Sequence, residues 1–172
     1  HRDLHSFPTR RSSDLFIGGL ATVTNCIMNY NYAKLGGGGI SVGAGSSLDL
    51  LNCSLYRNGS HNLFSKEYSV SSAGTIEIIN CIISRGNLVD RVNNKFYSMN
   101  SIYSLIQEVT VAAAAGNIVA DPLFVDPEQS DFRLDPESPA INAGHPGNEY
   151  KDSNGSRNDM GAYGGPYGDD WE

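Results

Sequence analysis

Three segments of the chain decide its fold: ATVTNCIM (residues 21–28), LDLLNCSL (48–55) and IEIINCII (76–83). In each segment an asparagine is followed by a cysteine, and the successive pairs are 27 and 28 residues apart. A repeat of this length is typical of solenoid proteins, in which each repeat packs against its neighbours along the chain.

Apolar and polar residues alternate on both sides of each asparagine. The apolar residues stand four and two positions before it and one and three positions after it. A period of two predicts β-strands with one buried face. The phase slips by one at the asparagine, and this slip would turn the side chains to the other face unless the chain bends there. Asparagine tolerates the left-handed backbone that a one-residue corner requires, so we expect strand, corner and strand, with the next repeat about 4.8 Å away.

The asparagines Asn25, Asn52 and Asn80 are expected to form a hydrogen-bonded ladder, as amides do in cross-β structures. The cysteines beside them are expected to face inward as small apolar residues, because their number is odd and no CxxC pair is present. A leucine-rich repeat would need an LxxLxLxxN pattern and a helical segment, whereas Leu50 stands only two residues before Asn52. The pattern therefore favours an all-β fold, a parallel β-helix.

The first fifteen residues are HRDLHSFPTRRSSDL (residues 1–15). They can be back-translated, in a single reading frame, into one particular DNA sequence. That DNA resembles, from end to end, the universal adapter ligated to fragments for short-read sequencing. We interpret residues 1–15 as a non-native, adapter-derived segment and give them no part in the fold. On this interpretation the natural sequence begins near Phe16, and the part that preceded it is missing.

The remaining chain divides into parallel β-helix repeats (residues 16–120) and a C-terminal, loop-rich capping region (residues 121–172). Proline cannot donate a ladder hydrogen bond, so the Asp-Pro and Ser-Pro turns of the second region suit the outermost strands. We expect this region to close the exposed end of the repeats. Five apolar residues are expected to plug that end: Phe124, Phe132, Leu134, Ile141 and Tyr163.

Several motifs follow one another in the second half of the chain: SIYSLI (101–106), GNIVADPLFVD (116–126), DFRL (131–134), SPAINAG (138–144) and DMGAYGG (159–165). With the Asn-Cys repeats and Gly-Gly-Ile at 38–40, they make the chain resemble right-handed parallel β-helix proteins of the pectate-lyase-like superfamily. The ending resembles that of choice-of-anchor Q domain proteins. The resemblance implies a secreted or cell-surface bacterial protein and an extracellular polysaccharide as ligand.

The charge of the chain is uneven. The formal net charge is −7, and residues 121–172 hold most of the excess of acidic side chains. An acidic chain is an unfavourable partner for nucleic acid. No apolar run approaches the roughly 20 residues of a membrane helix, so we expect no membrane span. We expect a monomer.

One loop has oxygen-bearing side chains at alternate positions around a glycine: KDSNGSRND (residues 151–159). Such spacing suits a calcium loop, although the bidentate glutamate and flanking helices of an EF-hand are missing. The sequence predicts Ca²⁺ ligands at Asp152, Asn154 and Asp159. An ordinary Asx-rich surface turn is the alternative.

Candidate carbohydrate-binding residues lie near the repeat corners. Tyr30, Tyr32 and Tyr56 could form an aromatic platform for sugar, with ordinary packing as the alternative. Arg57 and Arg85 each stand five residues after a repeat asparagine and are expected to share one face.

The expected function is that of a structural or polysaccharide-binding β-helix without a complete active site in this chain. The alternative is the C-terminal part of a polysaccharide lyase or glycoside hydrolase whose catalytic repeats lay upstream. Asp49 and Glu77 share a repeat position and would be the carboxylate pair of a hydrolase. No other catalytic set is indicated.

Overall fold

The computed structural model describes residues 15–33, 37–60, 68–90, 100–107 and 116–168. Within these ranges the chain forms β-strands and short 3₁₀ turns and contains no α-helix. The predicted all-β class is confirmed. No helix of these ranges is long and apolar enough to cross a membrane.

Three four-stranded sheets with parallel pairing contain most of the strands. The first sheet consists of β1 (Leu15–Ile17), β5 (Ile40–Val42), β9 (Tyr68–Ser72) and β12 (Asn87–Asp90). Leu15, which was expected to take no part in the fold, pairs with Ile40 in this sheet, and the other residues of the adapter-derived segment lie outside the described ranges. The second consists of β2 (Leu20–Thr24), β6 (Ser47–Leu51), β10 (Thr75–Ile79) and β13 (Asn100–Ile102). The third consists of β3 (Ile27–Asn29), β7 (Ser54–Tyr56), β11 (Ile82–Ser84) and β14 (Leu105–Ile106).

Two smaller sheets complete the described strands. The strands β4 (Tyr32–Ala33) and β8 (Gly59–Ser60) pair in parallel. The strands β15 (Phe124–Asp126) and β16 (Asp131–Leu134) form an antiparallel hairpin around the 3₁₀ turn Pro127–Gln129. A second 3₁₀ turn covers Asn148–Tyr150.

The pairing register of the strands follows the sequence repeat. In the second sheet Asp49 pairs with Thr22 on one side and with Glu77 on the other. In the third sheet Leu55 likewise pairs with Met28 and Ile83. Each residue therefore lies beside its counterpart in the next repeat, which confirms the alignment of the Asn-Cys segments.

The corners predicted at the asparagines are present. Asn25, Asn52 and Asn80 have left-handed φ angles of 49°, 45° and 56°. Each of them separates a strand of the second sheet from a strand of the third. The expected ladder is only partly formed, because Asn80 Nδ2 donates to Asn52 Oδ1 (3.4 Å) while Asn25 Nδ2 donates to the backbone oxygen atoms of Ala162 and Gly164.

The cysteines face inward, as expected. Cys26 N donates to Cys53 Sγ (3.5 Å) and Cys53 N donates to Cys81 Sγ (3.4 Å), so the three thiols lie in a row. All three are buried and carry free thiols. Burial raises the pKa of the Cys53 thiol well above its ordinary value, which fits a packing role rather than reactivity.

The four inward positions of each repeat form one hydrophobic core. Its members from the second and third sheets are Ala21, Val23, Cys26, Met28, Leu48, Leu50, Cys53, Leu55, Ile76, Ile78, Cys81 and Ile83. Ile40, Val42 and Val70 of the first sheet belong to the same core. Burial of one such side chain contributes about 1.5–3 kcal/mol, so the alternating pattern supplies the main driving force for this fold.

A second corner, absent from the sequence-based expectation, lies five residues after each asparagine. Tyr30, Arg57 and Arg85 have left-handed φ angles of 54°, 48° and 52°. Tyr30 N donates to Tyr56 O and Arg57 N donates to Ser84 O, so these corners keep the same register. The second corner places one tyrosine and two arginines side by side.

A further repeat follows without an Asn-Cys pair. Tyr103 takes the corner, with a φ angle of 47°. Cys81 N donates to Ser104 Oγ (3.0 Å), so Ser104 stands in the cysteine row only 23 residues after Cys81. This repeat lies within the range predicted for the repeats, but the Asn-Cys pattern does not mark it, because both marker residues are replaced and the spacing is shorter.

The C-terminal arm, residues 121–168, lies along the flank of the third sheet. His145 N donates to Asn80 Oδ1 (2.6 Å), while Asn52 Nδ2 donates to Asp159 O (3.2 Å). With the bonds from Asn25 Nδ2 to the arm, these contacts run along the asparagine corner from the third repeat back to the first. The arm therefore lies beside this corner, and closure of the end of the repeats by residues 121–172 stays a prediction.

Three of the five residues expected to plug an end, Phe124, Phe132 and Leu134, pack against residues of the third sheet. Phe132 is 1% exposed and contacts Tyr56, and Phe124 and Leu134 pack near Ile82 of β11. The corner amides can donate to the arm's carbonyl groups as well as to each other, and the outward apolar residues of the third sheet need covering. Both features favour packing of the arm along this flank.

Candidate functional site

Four of the five candidate carbohydrate-binding residues lie together at the second corner. The guanidinium carbon of Arg57 lies 5.8 Å from the Tyr30 ring centroid and 5.5 Å from that of Tyr56. That of Arg85 lies 5.8 Å from the Tyr56 ring centroid. Tyr32 is 46% exposed and belongs to β4, on a separate small sheet.

These side chains converge on the carboxylate of Glu128. Tyr30 Oη donates to Oε2 (2.5 Å) and Tyr56 Oη donates to Oε1 (3.1 Å). Arg57 Nη1 lies 2.8 Å from Oε1 and 2.9 Å from Oε2. Glu128 is carried by the 3₁₀ turn Pro127–Gln129, whose N-terminus is capped by the Asp126 side chain. The cluster therefore fastens the hairpin to the second corner.

The contacts shift the ionisation of the cluster in a consistent direction. The hydrogen bond from Tyr30 lowers the pKa of Glu128, and the Tyr56 hydroxyl and the Arg57 charge act in the same direction. Burial raises the pKa of Tyr30 and of Tyr56, and hydrogen bonding to Glu128 adds to that rise. The ionised carboxylate with two neutral phenols is thus the stable state at neutral pH.

The Tyr56 ring is enclosed by protein. It is 3% exposed, and its edge-to-face neighbours are the rings of Tyr30, Phe124 and Phe132 at centroid distances of 5.8, 6.1 and 5.6 Å. A ring in this position cannot stack on a sugar, so packing is its role. Tyr30 remains partly exposed and Arg85 exposed, which leaves them accessible to a ligand.

A second accessible surface is the outer face of the second sheet, here called the polar face. Its central row consists of Thr22, Asp49, Glu77 and Asn100, which are register partners on neighbouring strands. All four side chains are exposed. Asn100 Nδ2 donates to Glu77 Oε1 (3.3 Å). The two carboxylates that the sequence placed at one repeat position are therefore neighbours on parallel strands, whose spacing is about 4.8 Å.

The predicted calcium ligands lie in one loop of the C-terminal arm. The Asp152 carboxylate accepts hydrogen bonds from Gly165 N (2.6 Å), Asp159 N (3.1 Å) and Ser156 Oγ (2.9 Å). Asn154 Oδ1 accepts one from Ser156 N (2.8 Å). These oxygen atoms serve as acceptors that shape the loop.

Asp159 contributes a second carboxylate to this loop. Its Oδ1 accepts a hydrogen bond from Asn142 N (2.6 Å). Burial raises the pKa of Asp159, and the nearby charge of Asp152 raises it further. A cation could relieve this repulsion, but it would compete with the hydrogen bonds that Asp152 already accepts. Calcium binding at Asp152, Asn154 and Asp159 stays a prediction.

Two residues central to these contacts gave no signal in the sequence. Glu128 reaches its partners from 71 to 98 residues further along the chain. Asn158 is fully buried and bonds to Asn52 and to Tyr150 O. The Asp-Pro step before Glu128 indicated a turn, but neither a turn nor an isolated asparagine specifies a partner so distant.

Comparison of the chain with protein family models, with curated proteins and with solved structures finds no match.

Proposed function

We propose that the chain is part of a right-handed parallel β-helix. The support is the recurrence of three consecutive strands in the same order, each paired in parallel with its counterpart one repeat later. Parallel connections within a sheet are right-handed in almost all proteins.

The function proposed for this β-helix is structural or polysaccharide-binding, at the cell surface or in the extracellular space, without a complete active site in the chain. The observation that carries it is the polar face. Its hydroxyl, carboxylate and amide groups are exposed and repeat at the strand spacing of about 4.8 Å. This repeat is of the order of the length of one hexose unit, so a polysaccharide laid across the strands would meet a similar polar group at each sugar.

The polar face can be tested by binding to polysaccharides. Affinity electrophoresis against neutral and acidic polysaccharides should retard the protein in at least one gel. The double variant Asp49→Ala, Glu77→Ala should weaken that retardation, because it removes the acceptors at the centre of the face. The control Glu137→Ala, Glu149→Ala removes the same charge from exposed positions on the C-terminal arm and should bind as the native chain does. Equal loss in both variants would contradict binding at the polar face, and no retardation by any polysaccharide would leave only the structural role.

The alternative is that the chain belongs to a glycoside hydrolase or polysaccharide lyase. The register pairing of Asp49 with Glu77 favours it, because retaining hydrolases use two carboxyl groups about 5–5.5 Å apart. A hydrolase would be supported if the native chain releases reducing ends from a polysaccharide and if Asp49→Asn and Glu77→Gln each abolish that release. Binding without any product would leave the chain a binding protein.

A further inference from the structure

Two asparagines of the chain are followed by glycine, Asn58 and Asn154. An Asn-Gly step is chemically special because glycine has no side chain to keep its backbone nitrogen away from the preceding amide carbon. The nitrogen can attack that carbon, and the amide then leaves as ammonia. The reaction needs an accessible amide and a backbone free to change its angles.

The surroundings of Asn154 permit this reaction. Its side chain is exposed, and the neighbouring residues Ser153 and Gly155 are exposed as well. Gly155 has a φ angle of +85°, and no atom lies within 4 Å of the position that a Cβ would take. Ser156 N donates to Asn154 Oδ1 (2.8 Å), which draws electron density from the amide carbon and favours attack on it. Gly155 N also donates a hydrogen bond to Asp152 O (2.8 Å), which opposes the reaction because it holds the attacking nitrogen. This bond closes a single turn.

The surroundings of Asn58 prevent it. Asn58 is fully buried, its Oδ1 accepts from Asn31 N (3.0 Å) and its Nδ2 donates to Met28 O (2.7 Å). Gly59 N donates to Asn31 O (2.9 Å) within the pairing of β4 with β8. Both the nucleophile and the amide are therefore fixed by contacts between two repeats, and they become free only when those strands separate.

We propose that Asn154 is a site of spontaneous deamidation and that Asn58 is protected by the fold. In the first step Gly155 N bonds to Asn154 Cγ, the Cγ–Nδ2 bond breaks, and ammonia leaves with the proton from Gly155 N. Water then opens the cyclic imide at either carbonyl, which gives aspartate or isoaspartate. The sole co-reactant is water, and no electrons are transferred.

The product changes the charge of the arm. A new carboxylate is formed two residues from Asp152, whose carboxylate holds Gly165 N and Asp159 N. Opening to isoaspartate also adds one carbon to the backbone of the loop. Both changes weaken the loop that seats the arm beside Asn52.

The test incubates the full chain at mildly alkaline pH and follows each Asn-Gly step by peptide mass spectrometry. In the folded protein Asn154 should convert more than about tenfold faster than Asn58, because the reaction at Asn58 requires strand separation. In concentrated denaturant the two steps should convert at similar rates, since both asparagines are followed by Gly-Ser. The variant Asn154→Gln should retain its mass over the same incubation.

Two results would overturn the proposal. One is conversion of Asn154 in the folded protein no faster than that of Asn58. The other is a mass gain of equal size in Asn154→Gln, which would place the reaction at another asparagine.

Discussion

The side-chain amides of Asn52 and Asn158, 106 residues apart, are hydrogen-bonded to each other in both directions. Asn52 Nδ2 lies 3.2 Å from Asn158 Oδ1, and Asn158 Nδ2 lies 3.4 Å from Asn52 Oδ1. Both residues are buried. The amide pair joins the middle repeat corner to the C-terminal arm, so it should couple the stability of the two parts.

Asn158→Ala should lower the free energy of unfolding by about 1–3 kcal/mol, because it leaves buried polar groups of Asn52 and Tyr150 without this partner. Asn158→Asp should cost more, since a carboxylate would be buried against Asn52 Oδ1 and Tyr150 O. Urea unfolding measures both values. Asn148→Ala is the control, because Asn148 is exposed on the arm. Equal effects at positions 148 and 158 would show that the amide pair does not hold the arm.

The cluster around Glu128 predicts a pH dependence. The folded-state pKa of Glu128 is lowered, so its contribution to stability is present above the ordinary glutamate pKa of about 4.3 and is lost as the pH falls through the lowered value. Glu128→Gln should therefore melt below the native chain at pH 7, and the difference should shrink in acid. Glu137→Gln, an exposed change of equal charge, should leave the midpoint nearly unchanged. A difference for Glu128→Gln that is the same at pH 3 and pH 7 would exclude the carboxylate as its cause.

Asp159 predicts the opposite dependence. Its folded-state pKa is raised. The contribution of Asp159 to stability is therefore most favourable below the ordinary aspartate pKa of about 3.9 and declines as the pH rises through the raised value. Asp159→Asn removes the buried charge and keeps an oxygen to accept from Asn142 N. The variant should be at least as stable as the native chain at pH 7, with the advantage absent at pH 3. Thermal melts at the two pH values measure it, and a loss of stability at pH 7 in calcium-free buffer would contradict the prediction.

The inward positions of the repeats were predictable, because the side of a strand on which a residue lies follows from the alternation of apolar and polar residues next to it in the sequence. Leu48, Leu50 and Leu55 alternate with polar residues, and Asn52 marks the corner between them. The second corner was not predictable in this way. Arg57 and Arg85 have no intrinsic preference for the left-handed backbone, so their conformation is imposed by pairing with neighbouring repeats.

The position of the C-terminal arm depended on contacts that no local pattern contains. Asp-Pro steps indicated the turn before Glu128, but its partners Tyr30 and Arg57 are specified only once the second corner exists. The corner amides were expected to bond to one another, and Asn25 bonds to the arm instead. The partners of Glu128 and of Asn25 are both decided by competition among groups that are distant in the sequence. The folded structure determines which of these groups come close enough to bond.

Calcium is the remaining sequence-based prediction for the arm. A cation bound by Asp152, Asn154 and Asp159 would offset the repulsion that raises the pKa of Asp159. Binding to the folded state alone stabilises it by about 2.7 kcal/mol at a hundredfold excess over the Kd. The thermal midpoint should therefore rise in millimolar calcium relative to chelator, and the rise should vanish in Asp152→Ala and in Asp159→Asn. Asp131→Ala is the control, because Asp131 pairs with Arg133 elsewhere on the arm. Identical midpoints in calcium and in chelator would show that the three side chains act only as hydrogen-bond acceptors within the loop.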